Sequence, residues 1–481
     1  MSHAAQFDRD ARKKAFDLRH RAVINKATTT YSTTVAKTKA AFLDWEFGRQ
    51  NIRQRKWEAI NHLDRYLEEF EKNARERGTI VHYAKDAPHA RTIVLDLCRA
   101  KNVRKLVKSK SMLTEEIHLN EFLEEHGVKP VETDLGEYIV QIRKEKPYHI
   151  VTPVMHLTKE DIDQTFHELL GSPLGSSAED LTAIARKELR QEYLTADMGI
   201  TGANFVVAET GMISLTENEG NARLSVSLPR IHVVICGIEK VIPKLSDIPN
   251  FIPMLAVSGT GQQVSCYNTL VGGPRQPGET DGPEEMHVIF LDNERSRVLA
   301  NAEQREILHC IRCGACLNAC PVFRTIGGHA YGTTYQGPIG SVLTPLLRGY
   351  PGWKHLSYGS SLCGACTQMC PANIHLHHHL LKNRRNAVNS GAGKWYEKIL
   401  FIGWSMVMRC PFIYGFGNFF GRMGQKMMRL LRIEGTILDP AQNWSKTRAV
   451  GTIAGKSFHA WWRERQEVNG HYKTSRPESH S

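Results

Sequence analysis

The pattern of apolar and polar positions divides the chain into stretches of different period. Residues 1–75 are rich in charge, with apolar positions at helical spacing. Within 41–70, Phe42, Trp45, Ile52, Trp57, Ile60, Leu63 and Leu67 recur in this way. This predicts a helical arm, packed on the domain that follows or on a partner helix. From Thr79 the pattern alternates between short Val- and Ile-rich runs and helical segments, which argues a layered α/β domain. Strands are expected at 79–83, 105–108, 204–209, 212–216, 232–238, 263–271 and 287–291, with further extended runs at 137–142 and 148–152. Helices are expected at 87–100, at 114–125 with Thr114 as N-cap, and at 178–198.

The alternation ends near Asp292, and helical patterns follow at 295–308, 341–347 and 373–389. Residues 399–420 are the most apolar stretch, interrupted by Arg409 and Pro411. A spanning helix needs about 20 predominantly apolar residues, so a buried or interface-bound helical hairpin is expected rather than a span. Peripheral membrane contact stays open. Gly415, Gly417 and Gly421 resemble a dinucleotide glycine pattern but lack its strand–turn–helix context, and no Walker loop is present. Residues 463–481 read as a polar, mobile tail.

At 481 residues the chain has room for two to four domains. The formal charge of +12 is scattered over 9–26, 382–385 and 422–432, without an aromatic-interleaved stripe or a nucleic-acid motif. Solvated charge and a face for an acidic partner are the reading; nucleic acid is not an expected partner. Met1 to Arg21 has no apolar core and so is no signal peptide. A reducing, cytoplasmic setting is expected, with contact to the inner face of the membrane left open. Of the eleven cysteines, Cys98, Cys236, Cys266 and Cys410 stand alone, the first three in or beside apolar runs that suit buried thiols.

The other seven carry the chemistry. Cys310, Cys313, Cys316 and Cys320 precede Pro321, and Cys363, Cys366 and Cys370 precede Pro371. The first run has the spacing C-x2-C-x2-C-x3-C-P of two-cluster ferredoxins, in which the last Cys serves the other cluster. Cys310, Cys313, Cys316 and Cys370 are therefore expected to hold one cluster, and Cys320, Cys363 and Cys366 a second. Ser360 stands where the second set's fourth Cys belongs. The clusters are expected as [4Fe–4S], the second with a non-Cys fourth ligand or reduced to [3Fe–4S]. Ser360, Ser361, a nearby histidine or Cys410 can complete it. A zinc site or a disulfide framework fits seven cysteines in two C-P-terminated runs poorly. His375, His377, His378 and His379 cannot all face one ion from one helical turn, and read as solvated or supporting side chains.

In the α/β stretch, Lys110, Glu209, Thr210, Arg223 and Arg275 lie at strand ends or in Gly-rich loops, where small anions bind in such sheets. Ordinary turn chemistry explains the same loops equally well. No flavin or nicotinamide fingerprint accompanies them.

Both Cys runs, with Ala208-Glu-Thr-Gly211, Asn218-Glu-Gly-Asn221 and Gly278-Glu-Thr-Asp-Gly-Pro-Glu-Glu-Met-His287, resemble the lactate utilisation protein B (LutB) family over nearly the whole chain. The resemblance implies an α/β LUD domain, an isomerase/CoA-transferase-like layered sheet. An α-helical two-cluster ferredoxin domain and a helical C-terminal segment follow it. The expected boundaries are 1–75 for the arm, 76–293, 294–390 and 391–481. It also implies LutA-like and LutC-like companions, oxidation of L-lactate to pyruvate, and electron delivery to a quinone or another acceptor. The catalytic residues are not implied. Two other readings stand beside it: a redox enzyme whose LUD domain itself converts an organic acid or CoA ester, and a nucleic-acid-binding cluster sensor.

Overall fold

Two sheets organise the first part of the chain in the computed structural model, which describes residues 2–439, 441–445, 448 and 451–474. The larger is built from β1 (Ile80–Ala84), β2 (Lys105–Lys108), β3 (Lys129–Glu132), β4 (Met198–Thr201), β7 (Ile231–Gly237) and β10 (Glu285–Leu291). Its order is β1-β10-β7-β4-β2-β3, all parallel. The smaller has the order β8-β5-β6-β9, from β5 (Phe205–Val207), β6 (Met212–Glu217), β8 (Val241–Ile242) and β9 (Tyr267–Val271).

β7, Ile-His-Val-Val-Ile-Cys-Gly, is buried at every position, as expected of a strand covered on both faces. Alternate side chains serve two cores. Val234 and Cys236 meet Phe70 and Phe290, whereas Val233 and Ile235 meet Val94 and Leu106. Burying each such side chain contributes about 1.5–3 kcal/mol. Helix Leu63–Glu76 covers the first face through Leu63, Tyr66, Phe70 and Ala74, one helical stripe. Helix Ala87–Ala100 covers the second and starts under an Asp86 side-chain cap.

The N-terminal arm is helical, as its period implied: His3–Ala15, Leu18–Ala40, Trp45–Asn61 and Leu63–Glu76. It packs on the rest through buried cations. Arg49 donates to the carbonyls of Cys370 (2.9 Å) and Thr367 (3.2 Å), and Lys56 donates to those of Glu239 and Val241. Residues 1–392 form one compact unit and those from Gly393 onward another.

Several expected elements differ. Residues 137–142 lie in a helix, Leu135–Ile142, because Asp134 accepts the Glu137 N–H and caps it. Residues 148–152 belong to no strand; there the His149 ring accepts the Val151 and Thr152 N–H groups. The expected helix 114–125 is two, Met112–Glu116 and Leu119–Glu125, broken at left-handed His118. Thr114 is inside the first, its hydroxyl donating to Ser111 O. The helix expected at 178–198 ends at Leu194. Asp197 then accepts the backbone N–H of Arg104 and Lys105, and Met198 begins β4. Gly199 is required there: a Cβ would lie 1.8 Å from Ser225 O. Strand β3 and the helices Lys159–Leu170 and Tyr350–Tyr358 were not anticipated. Cys98 and Cys236 are buried, but Cys266 is exposed. The tail is helical over Phe458–Thr474; residues 475–481 lie outside the described residues.

The apolar stretch forms two helices, Trp395–Arg409 and Pro411–Leu430, bent by 109° at their junction. Neither contains a buried residue, so of the buried and interface-bound hairpins expected, the structure departs from the first only. No single described helix is long and apolar enough to cross a membrane.

One buried network ties the carboxyl ends of three strands to the cysteine-bearing region. Arg295, just after β10, donates to Glu116 beyond β2 (2.8 Å) and to Glu239 beyond β7 (2.8 Å). Arg312 donates to the second oxygen of Glu239 (3.3 Å), and Tyr335 to Glu116 (2.5 Å). Burial alone would raise the Glu116 carboxyl, but the Arg295 guanidinium holds it down at about 2. A depressed carboxyl stabilises fully above its unfolded value, near 4.5, and that contribution fades as pH falls towards 2. Arg295→Ala strips two buried carboxylates of their shared cation and leaves Glu116 with neutral donors only. It is expected to cost about 3–5 kcal/mol in chemical unfolding at neutral pH, with the difference from wild type shrinking as the pH is lowered below 4.5. A loss under 1 kcal/mol would show the network to be dispensable.

Candidate iron–sulfur centres and the adjoining cavity

The two Cys-Gly-Ala-Cys loops have one backbone. Arg312 (φ 63°) and Leu362 (φ 55°) are left-handed, and so are Gly314 (φ 79°) and Gly364 (φ 81°). Left-handed residues among right-handed ones turn successive amides inward, forming a concavity for anions. Short helices Ala315–Ala319 and Ala365–Met369 follow, ending at Cys320 (ψ 120°) and Cys370 (ψ 118°), each extended because a proline comes next. The Cys320 and Cys370 sulfurs accept N–H groups of Phe323 (3.5 Å) and Ile374 (3.4 Å). In this repeat Ser360 corresponds to Cys310.

Cys310, Cys313, Cys316 and Cys370 line a single cavity, walled otherwise by Ile150, Ile339, Ile374 and Leu376. Burial raises the Cys370 thiol to about 12, and it raises Cys313 and Cys316 too, with neighbouring thiolates adding to the shift. Such thiols give up their protons only to a strong positive charge, which iron supplies. Among the described residues no three cysteine sulfurs come within 4.8 Å of one another. A single tetrahedral zinc, with Zn–S ~2.3 Å, would draw them to about 3.8 Å. A larger inorganic core with apolar walls fits the set, and no disulfide joins any pair.

The second set is closer to solvent. Cys320 and Cys366 are buried, whereas Cys363 is exposed. Burial, then the Cys320 charge, brings the Cys366 thiol up to about 11. The Cys363 thiol is lowered, first by the Ala365 N–H and then by the Ser361 hydroxyl. The Ser360 hydroxyl accepts the Leu362 N–H at 3.1 Å. Both serines thus flank the second set. Cys410 lies between the two helices of the second unit. The four histidines form no ligand group among the described residues: His379 pairs with Glu306 (2.9 Å), His377 with Thr367 (2.6 Å), His375 is 3.6 Å from the other Glu306 oxygen, and His378 packs on the His377 and His375 rings.

Beside the first set lies a cavity of about 300 Å³. Its floor is the carboxyl end of the large sheet: Ser109–Ser111 after β2, Gly202–Asn204 after β4, and Gly237 to Lys240 after β7. Ligands bind at this edge of open α/β sheets. Arg312 and Cys313 close it from the cysteine side.

Of the expected anion-site residues, only Lys110 lines this cavity, and it is held by Asp134 (3.1 Å) and Val151 O (2.9 Å). Glu209 accepts the Leu245 N–H, and the Thr210 hydroxyl the Met212 N–H. Arg223 lies over the Tyr267 ring, and Arg275 reaches Glu284 and the Thr280 carbonyl. The structure does not bring these four to Lys110. Lys240 and Arg312 were missed. The one follows a strand whose neighbours only the topology reveals, and the other stands inside Cys-Ile-Arg-Cys, where the cysteine spacing says nothing of it. A carboxylate trio, Glu115, Glu132 and Glu137, surrounds Lys108, whose ammonium sits 2.6 Å from Glu132 and 3.6 Å from Glu115. The lysine offsets one charge of that trio, and burial with mutual repulsion pushes Glu132 up to about 7 and Glu137 well above the usual carboxylate range.

Fold and thiol geometry together define an iron–sulfur protein built on an α/β LUD domain. The LUD domain family matches residues 67–291, and the 4Fe-4S dicluster domain matches 306–374. Lactate utilization protein B of Shouchella clausii is 39% identical over 475 residues, covering 97% of this chain and 98% of that protein. The protein of that name from Bacillus velezensis is 42% identical over 436 residues, 89% of each, and that from Geobacillus thermodenitrificans 42% over 428 residues, 88% and 89%. The chain belongs to the lactate utilization protein B family. A solved DUF162 family protein from Deinococcus radiodurans aligns at 15% identity and a TM-score of 0.25 over 48% of this chain and 98% of its own, too distant to carry an argument.

Anaerobically prepared protein is expected to hold about eight iron atoms per chain, from two four-iron clusters. On exposure to air the second set should lose one iron first, because a serine oxygen is a harder donor than a thiolate. Ser360→Cys should make the signal air-stable in electron paramagnetic resonance (EPR). Cys410→Ala should change nothing. About seven irons before any oxidation, or loss of one cluster in Cys410→Ala, would reassign the fourth ligand.

Proposed function

We propose that this chain is the electron-transfer subunit of a complex oxidising L-lactate to pyruvate, acting with LutA-like and LutC-like companions. Lactate oxidation releases two electrons and two protons, and two [4Fe–4S] clusters each pass one electron at a time. The observation that carries the reading is the placement of the two cysteine sets. The first is buried against the sheet cavity, and the second reaches the surface at Cys363. Such an order suits a path from an enclosed site to an external acceptor, a quinone or another carrier. The arm, LUD domain, cluster domain and C-terminal segment divide at about residues 75, 293 and 390 in this reading.

The second reading, in which the LUD domain itself converts an organic acid or CoA ester, draws on the cavity. The companions decide between the two. Lactate-dependent dye reduction is expected from the complex recovered anaerobically on the tagged chain, and less than about one-tenth of that rate from the chain alone. Equal rates would favour the second reading. A strain lacking this chain and any other lactate dehydrogenase should not grow on L-lactate.

We also place the chain at the inner face of the membrane as a peripheral protein. Residues from 393 onward hold 14 Lys and Arg against 6 Asp and Glu. In helix Pro411–Leu430, Phe412, Phe416, Phe419, Met423, Met427 and Leu430 form one exposed apolar stripe. Apolar stripes with basic flanks suit anionic lipid surfaces. A central Arg409 costs about 2.5–3.5 kcal/mol on insertion scales. Alkaline carbonate is therefore expected to release the protein from membranes; retention would indicate a span.

A further inference from the structure

The cavity at the carboxyl ends of β2, β4 and β7 contains an imbalance of partners rather than of charge. Four carboxylates border it, and each is occupied. Asp134 accepts from Lys110, and Glu239 from Arg295 and Arg312. Glu217 accepts the N–H groups of Ala222 (2.6 Å) and Arg223 (2.9 Å), and Glu219 that of Leu135 (3.0 Å). The cations differ. The Lys240 ammonium, on the wall after β7, makes no hydrogen bond or ion pair among the described residues. The Arg312 side chain is 10% exposed, its Nη2 is on Glu239, and its Nη1 is buried without a partner.

A buried donor left unpaired is costly; Arg312 Nη1 is one, and with the half-buried, unpaired Lys240 on the same cavity it defines a place for an acceptor with negative charge. We propose that a small organic carboxylate binds in this cavity on Lys240 and Arg312, beside Cys313. The neutral lining of Ser111, Asn204 and Gln262 offers further hydrogen bonds to such a molecule, while Met112, Ile150 and Leu215 face its carbon atoms. The volume of about 300 Å³ is at the small end for ligand cavities and leaves space for waters of ~30 Å³ each around a small acid. A phosphate dianion suits the site less. Arg312 already shares its charge with Glu239, so a second charge would face the four bordering carboxylates with Lys240 alone to offset both. The site does not depend on which subunit oxidises lactate, so it survives if the electron-transfer reading fails.

Isothermal titration of the anaerobically purified holoprotein with pyruvate, L-lactate, acetate and inorganic phosphate tests this. One-to-one, saturable binding of at least one carboxylate is expected, tighter than phosphate. Lys240→Gln removes one charge-assisted bond and should weaken binding about tenfold or more. Lys240→Arg should restore it to within about threefold, with iron content and melting temperature unchanged in both, since Lys240 supports no other group. Absence of carboxylate binding, tighter binding of phosphate, or an unchanged affinity in Lys240→Gln would overturn the proposal. Loss in Arg275→Gln with none in Lys240→Gln would move the site to the outer loop and overturn it equally.

Discussion

The Glu239 carboxylate holds the rest together. One oxygen takes Arg295, at the end of the central sheet, and the other takes Arg312, in the first cysteine loop. Its backbone carbonyl takes Lys56 of the N-terminal arm. Three parts of the chain that are distant in sequence thus meet at one residue that is 2% exposed. Isolated buried charges are costly, and mutual satisfaction is what makes them tolerable. Here it also sets geometry. The cysteine loop cannot shift without unpairing Arg312, so the first set of thiols stays at the sheet's ligand edge.

Much of this arrangement could be read before any coordinates. The seven cysteines and their proline stops were explicit, because cluster ligation imposes short-range spacing that survives in one dimension. The central strands were legible because β7 and β10 are buried on both faces and must be apolar throughout. What failed had causes that the apolar pattern does not carry. Residues 137–142 look extended, yet Asp134 caps them into a helix. Met198 looks like the end of a helix, yet it begins a strand, in which Gly199 lets Ser225 O approach. The helices after Trp395 are apolar enough to suggest burial, but apolarity does not say what it faces.

The anion site shows the same limit more sharply. Lys110 follows a strand end, and it does line the cavity. Glu209, Thr210, Arg223 and Arg275 lie in Gly-rich loops, which serve turns and ion pairs elsewhere on the domain. Lys240 follows β7 in an unremarked turn, Ile238–Lys240, and only the strand order β7-β4-β2 places it over the crevice. Arg312 gains meaning from a left-handed backbone that points it away from its own cluster loop's neighbours and towards Glu239 and Tyr335.

The central claim is that electrons released by lactate reach this chain's clusters through its companions. Freeze-quenched EPR on the reconstituted complex, before any dye or quinone is added, addresses it directly. L-lactate should produce reduced [4Fe–4S] signals within the turnover time, assignable to this chain because Cys366→Ser alters one of them. If pyruvate accumulates while both clusters of this chain stay oxidised, the chain does not carry the electrons and the account is wrong.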